Sequence, residues 1–80
     1  MTADQVMTKL TAIFRDVFDD DRIALTPEMT ARDVDGWDSV ANIRLMVTIE
    51  DEFRIKFEIG DFQDFRNVGD LAAGVGRLVS

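Results

Sequence analysis

The stretch Asp35-Gly36-Trp37-Asp38-Ser39-Val40 decides how this chain is read. A glycine-containing turn leads to an acid suited to capping a helix, and a periodic apolar run begins directly after it. Asn42, Leu45, Met46, Ile49 and Phe53 follow at spacings of three, one, three and four. That spacing predicts an amphipathic helix over about Ser39–Phe53. Ser39 then stands in the first turn, at the positive end of the helix dipole, where a phosphate ester is well tolerated. As a bare pattern, a serine there is an ordinary cap residue or a modification site. Asp38 can hold the helix start and leave the hydroxyl free, and Gly36 permits close approach by another protein.

This helix carries more apolar residues than one face requires. Ile43 can border the core. Val40, Arg44, Val47 and Asp51 form a second stripe at four, three and four. The two valines are either the edges of a wide core or part of a contact surface.

Upstream, residues 22–37 hold no sustained period. Thr26, Pro27, Thr30 and Gly36 mark loop and turn. Ile23, Leu25, Met29 and Val34 are expected to pin this long connection to the core, and loops of such length are often functional. Before it, Val6, Leu10, Ile13, Phe14 and Val17 make one stripe of a helix from about Ala3 to Phe18, capped by Thr2 or Asp4. Asp19-Asp20-Asp21 reads as a solvated turn.

Downstream, Arg54–Ile59 alternates polar and apolar residues. With no second strand to pair with, it reads as an extended connector that buries Ile55 and Phe57. Gly60 breaks the chain, and Asp61–Phe65 reads as one short helical turn. Asn67 is an N-cap with Asp70 three residues on, resembling a capping box. Val68, Leu71, Ala72, Val75 and Leu78 give the stripe of a last helix ending near Val79. Gly69, Gly74 and Gly76 either weaken that helix or allow close packing. The expected fold is all-α: a small four-helix bundle with three major helices, one short helix and a long first loop, in a single domain over 1–80.

Composition narrows the chemistry. The 80 residues contain neither cysteine nor histidine, and 16 acids against nine bases give a net charge of −7. Disulfides, thiolate metal sites and Ser-His-Asp or Cys-His catalysis within the chain are excluded. The charge disfavours nucleic acid and anionic membranes and favours a partner with basic patches. Asp33, Asp35 and Asp38 fail the EF-hand template at three positions. Glu50, Asp51 and Glu52 are helix neighbours that point apart, so they make no catalytic carboxylate pair. Gly36 stands alone, without a phosphate-cradling loop. No run approaches the ~20 apolar residues that span a bilayer, and no secretory pattern opens the chain. The expectation is a monomeric, cytoplasmic protein that is acted on by enzymes and is not itself one.

Gly36-Trp37-Asp38-Ser39-Val40, with Ile43, Leu45, Ile49 and Glu50-Asp51-Glu52-Phe53, resembles an acyl carrier protein. The likeness extends to the first helix, Thr26-Pro27-Glu28 in the long loop, and Asn67-Val68-Gly69-Asp70-Leu71. It implies 4'-phosphopantetheine, donated by coenzyme A through a separate magnesium-dependent transferase and esterified to Ser39, with Asp38 as helix cap and recognition residue. It implies acyl cargo held as thioesters. By position, the cargo pocket would be Leu45, Met46, Ile49, Phe57, Phe62 and Phe65, all of which also suit ordinary core packing. The docking face would be Val40, Arg44, Val47 and Asp51, with Glu50 and Glu52 nearby. Partners would be the phosphopantetheinyl transferase, an acyl- or aminoacyl-loading ligase, and synthases or acyltransferases of fatty-acid, polyketide or related metabolism. An aminoacyl or peptidyl carrier served by an adenylating enzyme fits the same residues, and an unmodified adaptor binding a basic partner is the reading from another class.

The chain departs from the family pattern in several places. Val40 stands where leucine is common, and Ala41 and Arg44 near positions where acids are usual. Trp37 is bulky, and Glu58 replaces a frequent proline. Residues 38–54 carry four acids against two arginines, a net −2. Three phenylalanines lie near the implied pocket. These departures suggest a specialised, free-standing carrier.

Overall fold

The computed structural model describes residues 1–58 and 60–79, with Gln63 described by its backbone alone. It is helical, and the described residues contain no strand. Helix α1 spans Ala3–Val17, α2 Ser39–Phe53, α3 Asp61–Asp64 and α4 Val68–Val79, with a short 3-10 turn at Ala31–Asp33. The three long helices therefore match the apolar periods closely, and α3 is a single turn. Helix α1 packs against both α2 and α4.

The core is built from the predicted stripes. Val6, Leu10, Ile13 and Phe14 of α1 meet Leu45, Ile49 and Phe53 of α2 and Val68, Leu71 and Val75 of α4. Leu10, Phe14, Leu45, Ile49, Val68 and Val75 have no exposed surface. Helix α1 begins with a reciprocal capping box between Thr2 and Gln5.

The connector 54–58 forms no strand, and Ile55 and Phe57 pack against the core half-buried. Ile59, expected to close this segment, lies outside the described residues. Glu50 Oε2 accepts the Phe57 N–H at 2.8 Å, so an α2 side chain satisfies the connector's backbone.

The long loop is pinned as expected. Val34 is buried, and Ile23, Leu25 and Met29 pack against the core. Its backbone also serves α4: the N–H of Val68 donates to Met29 O and that of Gly69 to Pro27 O, each at 2.9 Å. Two orphan donors of a helix N-terminus thus find carbonyls nearly forty residues upstream.

Four details differ from the sequence reading. Leu78, expected on the core stripe of α4, is 42% exposed, and Val79, four residues after Val75, packs against the core instead. Ile43 does not border the core and is 60% exposed. It lies three residues after Val40 and four before Val47, which places all three on one outward face. The capping box at α4 is half formed: Asn67 Oδ1 accepts from the Asp70 N–H at 2.8 Å, but Asp70 Oδ2 accepts from the N–H of Arg66. The sequence pattern marks 31–33 only as loop, whereas the structure forms a 3-10 turn there. Thr30 and Asp33 cap it reciprocally, and their spacing of three was the available signal.

Candidate functional site

The site begins with the turn that delivers Ser39. Gly36 has φ +86°, a conformation that residues with a side chain adopt rarely, and an added Cβ would meet the Phe18 ring at 3.9 Å. The turn is closed by the Trp37 N–H on Val34 O and the Asp38 N–H on Gly36 O. Trp37 then anchors it. Its ring meets Phe14 edge-on at 5.2 Å and lies 6.1 Å from Phe18, while Nε1–H donates to Asn42 Oδ1 at 2.9 Å.

Asp38 is the N-cap of α2. Its Oδ1 accepts the Ala41 N–H and its carbonyl accepts the Asn42 N–H, both at 2.9 Å. Ser39 is the first residue of the helix and is exposed. Its hydroxyl makes no hydrogen bond among the described residues, and the N–H groups of Ser39 and Val40 likewise have no partner there. A free hydroxyl thus stands beside unpaired donors at the positive end of a dipole, an arrangement suited to an anionic ester.

Beside Ser39 opens a cleft of about 430 Å³. Its lining joins Trp37, Asp38 and Asn42 at the start of α2 to the apolar Phe62, Phe65 and Leu71 and to Arg66 and Asn67 just before α4. Its mixed polar and apolar lining suits a ligand with amides along an aliphatic backbone, and clefts of this size hold small ligands. 4'-Phosphopantetheine has that character, so the residues present fit the group.

The residues expected to line a cargo pocket fall into two sets. Phe62 and Phe65 line the cleft that contains Ser39. Leu45 and Ile49 are fully buried, with Met46 and Phe57 packed at the core margin, and none of these four lines the cleft. Arg66, Asn67 and Asn42 were missed as lining residues. No local spacing marked them, because only the fold brings the start of α4 and that of α2 to one cleft.

Of the expected docking residues, Val40 and Val47 are 68% and 47% exposed, and Arg44, Asp51 and Glu52 are exposed too. Glu50 is half-buried with its carboxylate on the Phe57 N–H. The acid triplet therefore divides, with two residues facing outward and one serving the fold. The surface beside Ser39 is aliphatic, with Ile43 joining the valines and Arg44 the only charge between Ser39 and Thr48.

Residues 8–75 match the family model described as the phosphopantetheine attachment site. The solution NMR structure of holo acyl carrier protein from Geobacter metallireducens is similar to this chain, with a TM-score of 0.87 and 47% sequence identity. The match covers 92% of this chain and 85% of that one. No curated protein gives a significant match. Among the described residues, no cluster of His, Cys, Asp or Glu is arranged to hold a metal ion, and no helix is long and apolar enough to cross a membrane.

Proposed function

This chain belongs to the acyl carrier protein family, with a phosphopantetheine attachment domain, and from that premise we propose that Ser39 is the attachment residue. The cofactor is covalently attached 4'-phosphopantetheine, whose terminal thiol supplies the thioester chemistry that a chain without cysteine lacks. The observation that carries the assignment to Ser39 is its geometry. It is an exposed first helical residue with an unengaged hydroxyl, over a cleft, while Asp38 caps the helix independently.

Each neighbour then has a role. Asp38 keeps the α2 terminus formed, so the hydroxyl is not needed as a cap. The free N–H groups of Ser39 and Val40 favour the phosphodiester's negative charge. Trp37 holds the preceding turn against α1. Asn42, Asn67 and Arg66 offer polar groups to the arm, and Phe62, Phe65 and Leu71 an apolar surface.

The proposed role is to present acyl intermediates to partner enzymes of fatty-acid, polyketide or other specialised acyl metabolism in the cytoplasm, the carrier itself doing no catalysis. Val40, Arg44, Val47, Asp51 and Glu52 form the docking face, with Ile43 added. Glu50 contributes from behind, by holding the connector. A partner that fits this face offers apolar contact near Ser39 and basic groups near Asp51 and Glu52.

Intact-protein mass before and after incubation with coenzyme A, magnesium and a broad-specificity phosphopantetheinyl transferase tests the assignment. One phosphopantetheine is expected on the wild type and none on a folded Ser39→Ala variant. Loading of Ser39→Ala, or a folded wild type that several transferases leave unchanged, would overturn it.

A further inference from the structure

Phe62 and Phe65 line the cleft beside Ser39, and one contact fixes where the Phe65 ring lies. Phe57, Phe62 and Phe65 are mutually edge-on, with centroids 5.2, 5.9 and 5.8 Å apart. Phe65 is in turn seated on α4 at Gly74. A Cβ built on Gly74 would lie 2.8 Å from Phe65 Cε1 and closer still to Cζ, so no other residue admits the ring at this depth. Phe62 is 7% exposed, and Leu45 and Ile49 of the same core cluster are sealed completely. Interiors packed this way open only if a side chain moves.

We propose that the Phe65–Gly74 pair sets the largest cargo this carrier shelters, keeping an acyl chain in the open cleft and out of the bundle interior. The inference rests on the carrier reading above. A chain entering from the Ser39 side meets the Phe65 ring, which two aromatic edges hold and a bare stretch of α4 backs. A smaller residue at 65 vacates the volume that the ring fills over Gly74 and extends the cleft toward Phe57 and Phe62, whose rings pack on it. The limit depends on both residues, since the ring sits at this depth only over a glycine at 74.

The test uses the whole protein loaded from butyryl-, octanoyl- and dodecanoyl-coenzyme A by a broad-specificity transferase. Intact mass first verifies loading. Thermal midpoints are then read against the holo form with its free thiol, because a buried chain stabilises the fold that buries it. For the wild type, the butyryl form is expected to melt slightly above the holo protein, and the octanoyl and dodecanoyl forms no higher than the butyryl form. Phe65→Ala is expected to melt several degrees higher when octanoylated, with nuclear Overhauser contacts from chain methylenes to Phe57 and Phe62. Phe65→Leu, which retains more packing, is expected to show a smaller rise and covers the case in which the alanine variant does not fold. A wild-type midpoint rising with chain length as steeply as the variants', or octanoyl contacts to Leu45 and Ile49 in the wild type, overturns the proposal. So does a loaded, folded variant with no rise. Absence of any mass gain strikes instead at Ser39 as the attachment residue.

Discussion

The indole Nε1–H of Trp37 donates to Asn42 Oδ1 across 2.9 Å, tying the residue two before Ser39 to the residue three after it. The same ring is edge-on to Phe14 of α1. The turn that presents the serine is thus fastened both to its own helix and to the core. Trp37→Phe keeps a ring and removes the donor. It is expected to cost about 1 kcal/mol in urea unfolding, the usual net worth of one hydrogen bond, while transferase loading at Ser39 persists.

Two glycines of α4 predict opposite signs for the same substitution. Around Gly76 nothing lies within 4 Å of an added Cβ, and Gly76→Ala is expected to stabilise by up to about 1 kcal/mol through helix propensity. At Gly74 the Phe65 ring occupies that space, and Gly74→Ala is expected to destabilise by about 1–3 kcal/mol through overpacking. Urea midpoints of the two variants, measured side by side, check both.

Asn67 satisfies the start of α4 by accepting the Asp70 N–H at 2.8 Å. Asn67→Ala is expected to lose about 1 kcal/mol, and Asn67→Asp to keep most of the cap. Since Met29 O and Pro27 O accept the next two donors, amide hydrogen exchange should quicken at Asp70 more than at Val68 and Gly69.

Arg54 ends α2 in the left-handed region, with φ 56° and ψ 49°, and its N–H donates to Glu50 O. Glycine adopts that conformation without Cβ strain. Arg54→Gly is expected to raise stability by about 1 kcal/mol, with the far-ultraviolet circular dichroism unchanged. A loss would mean that the arginine side chain contributes more than its backbone costs.

Much of the fold was legible because its helices are amphipathic and punctuated. The stripes at Val6–Val17 and Leu45–Phe53, and that of Val68–Leu78 as far as Val75, reappear as the three faces of one core; Asp38 and Asn67 are the caps that the pattern marked, and Thr2 is one of the two it offered for α1. The candidate serine was legible for the same reason, since Asp38 announces where α2 begins. Ile43 was misread because α2 is apolar on more than one face. Periodicity says which residues share a face, but not which face turns inward. Glu50 was likewise indistinguishable from Asp51 and Glu52 until the connector came back to place the Phe57 N–H on its carboxylate.

The sequence by itself determined the helices, their caps, the lack of any internal nucleophile pair or thiol, and Ser39 at the head of α2. These depend on residues within a few positions of one another, where spacing and capping chemistry act directly. Only the tertiary structure decided that Arg66 and Asn67 line one cleft with Asn42, that Phe65 rests on Gly74, and that loop carbonyls at 27 and 29 complete α4. Such contacts join residues distant in the chain, and they are settled by how the three helices pack around one small core, where every buried volume constrains its neighbours.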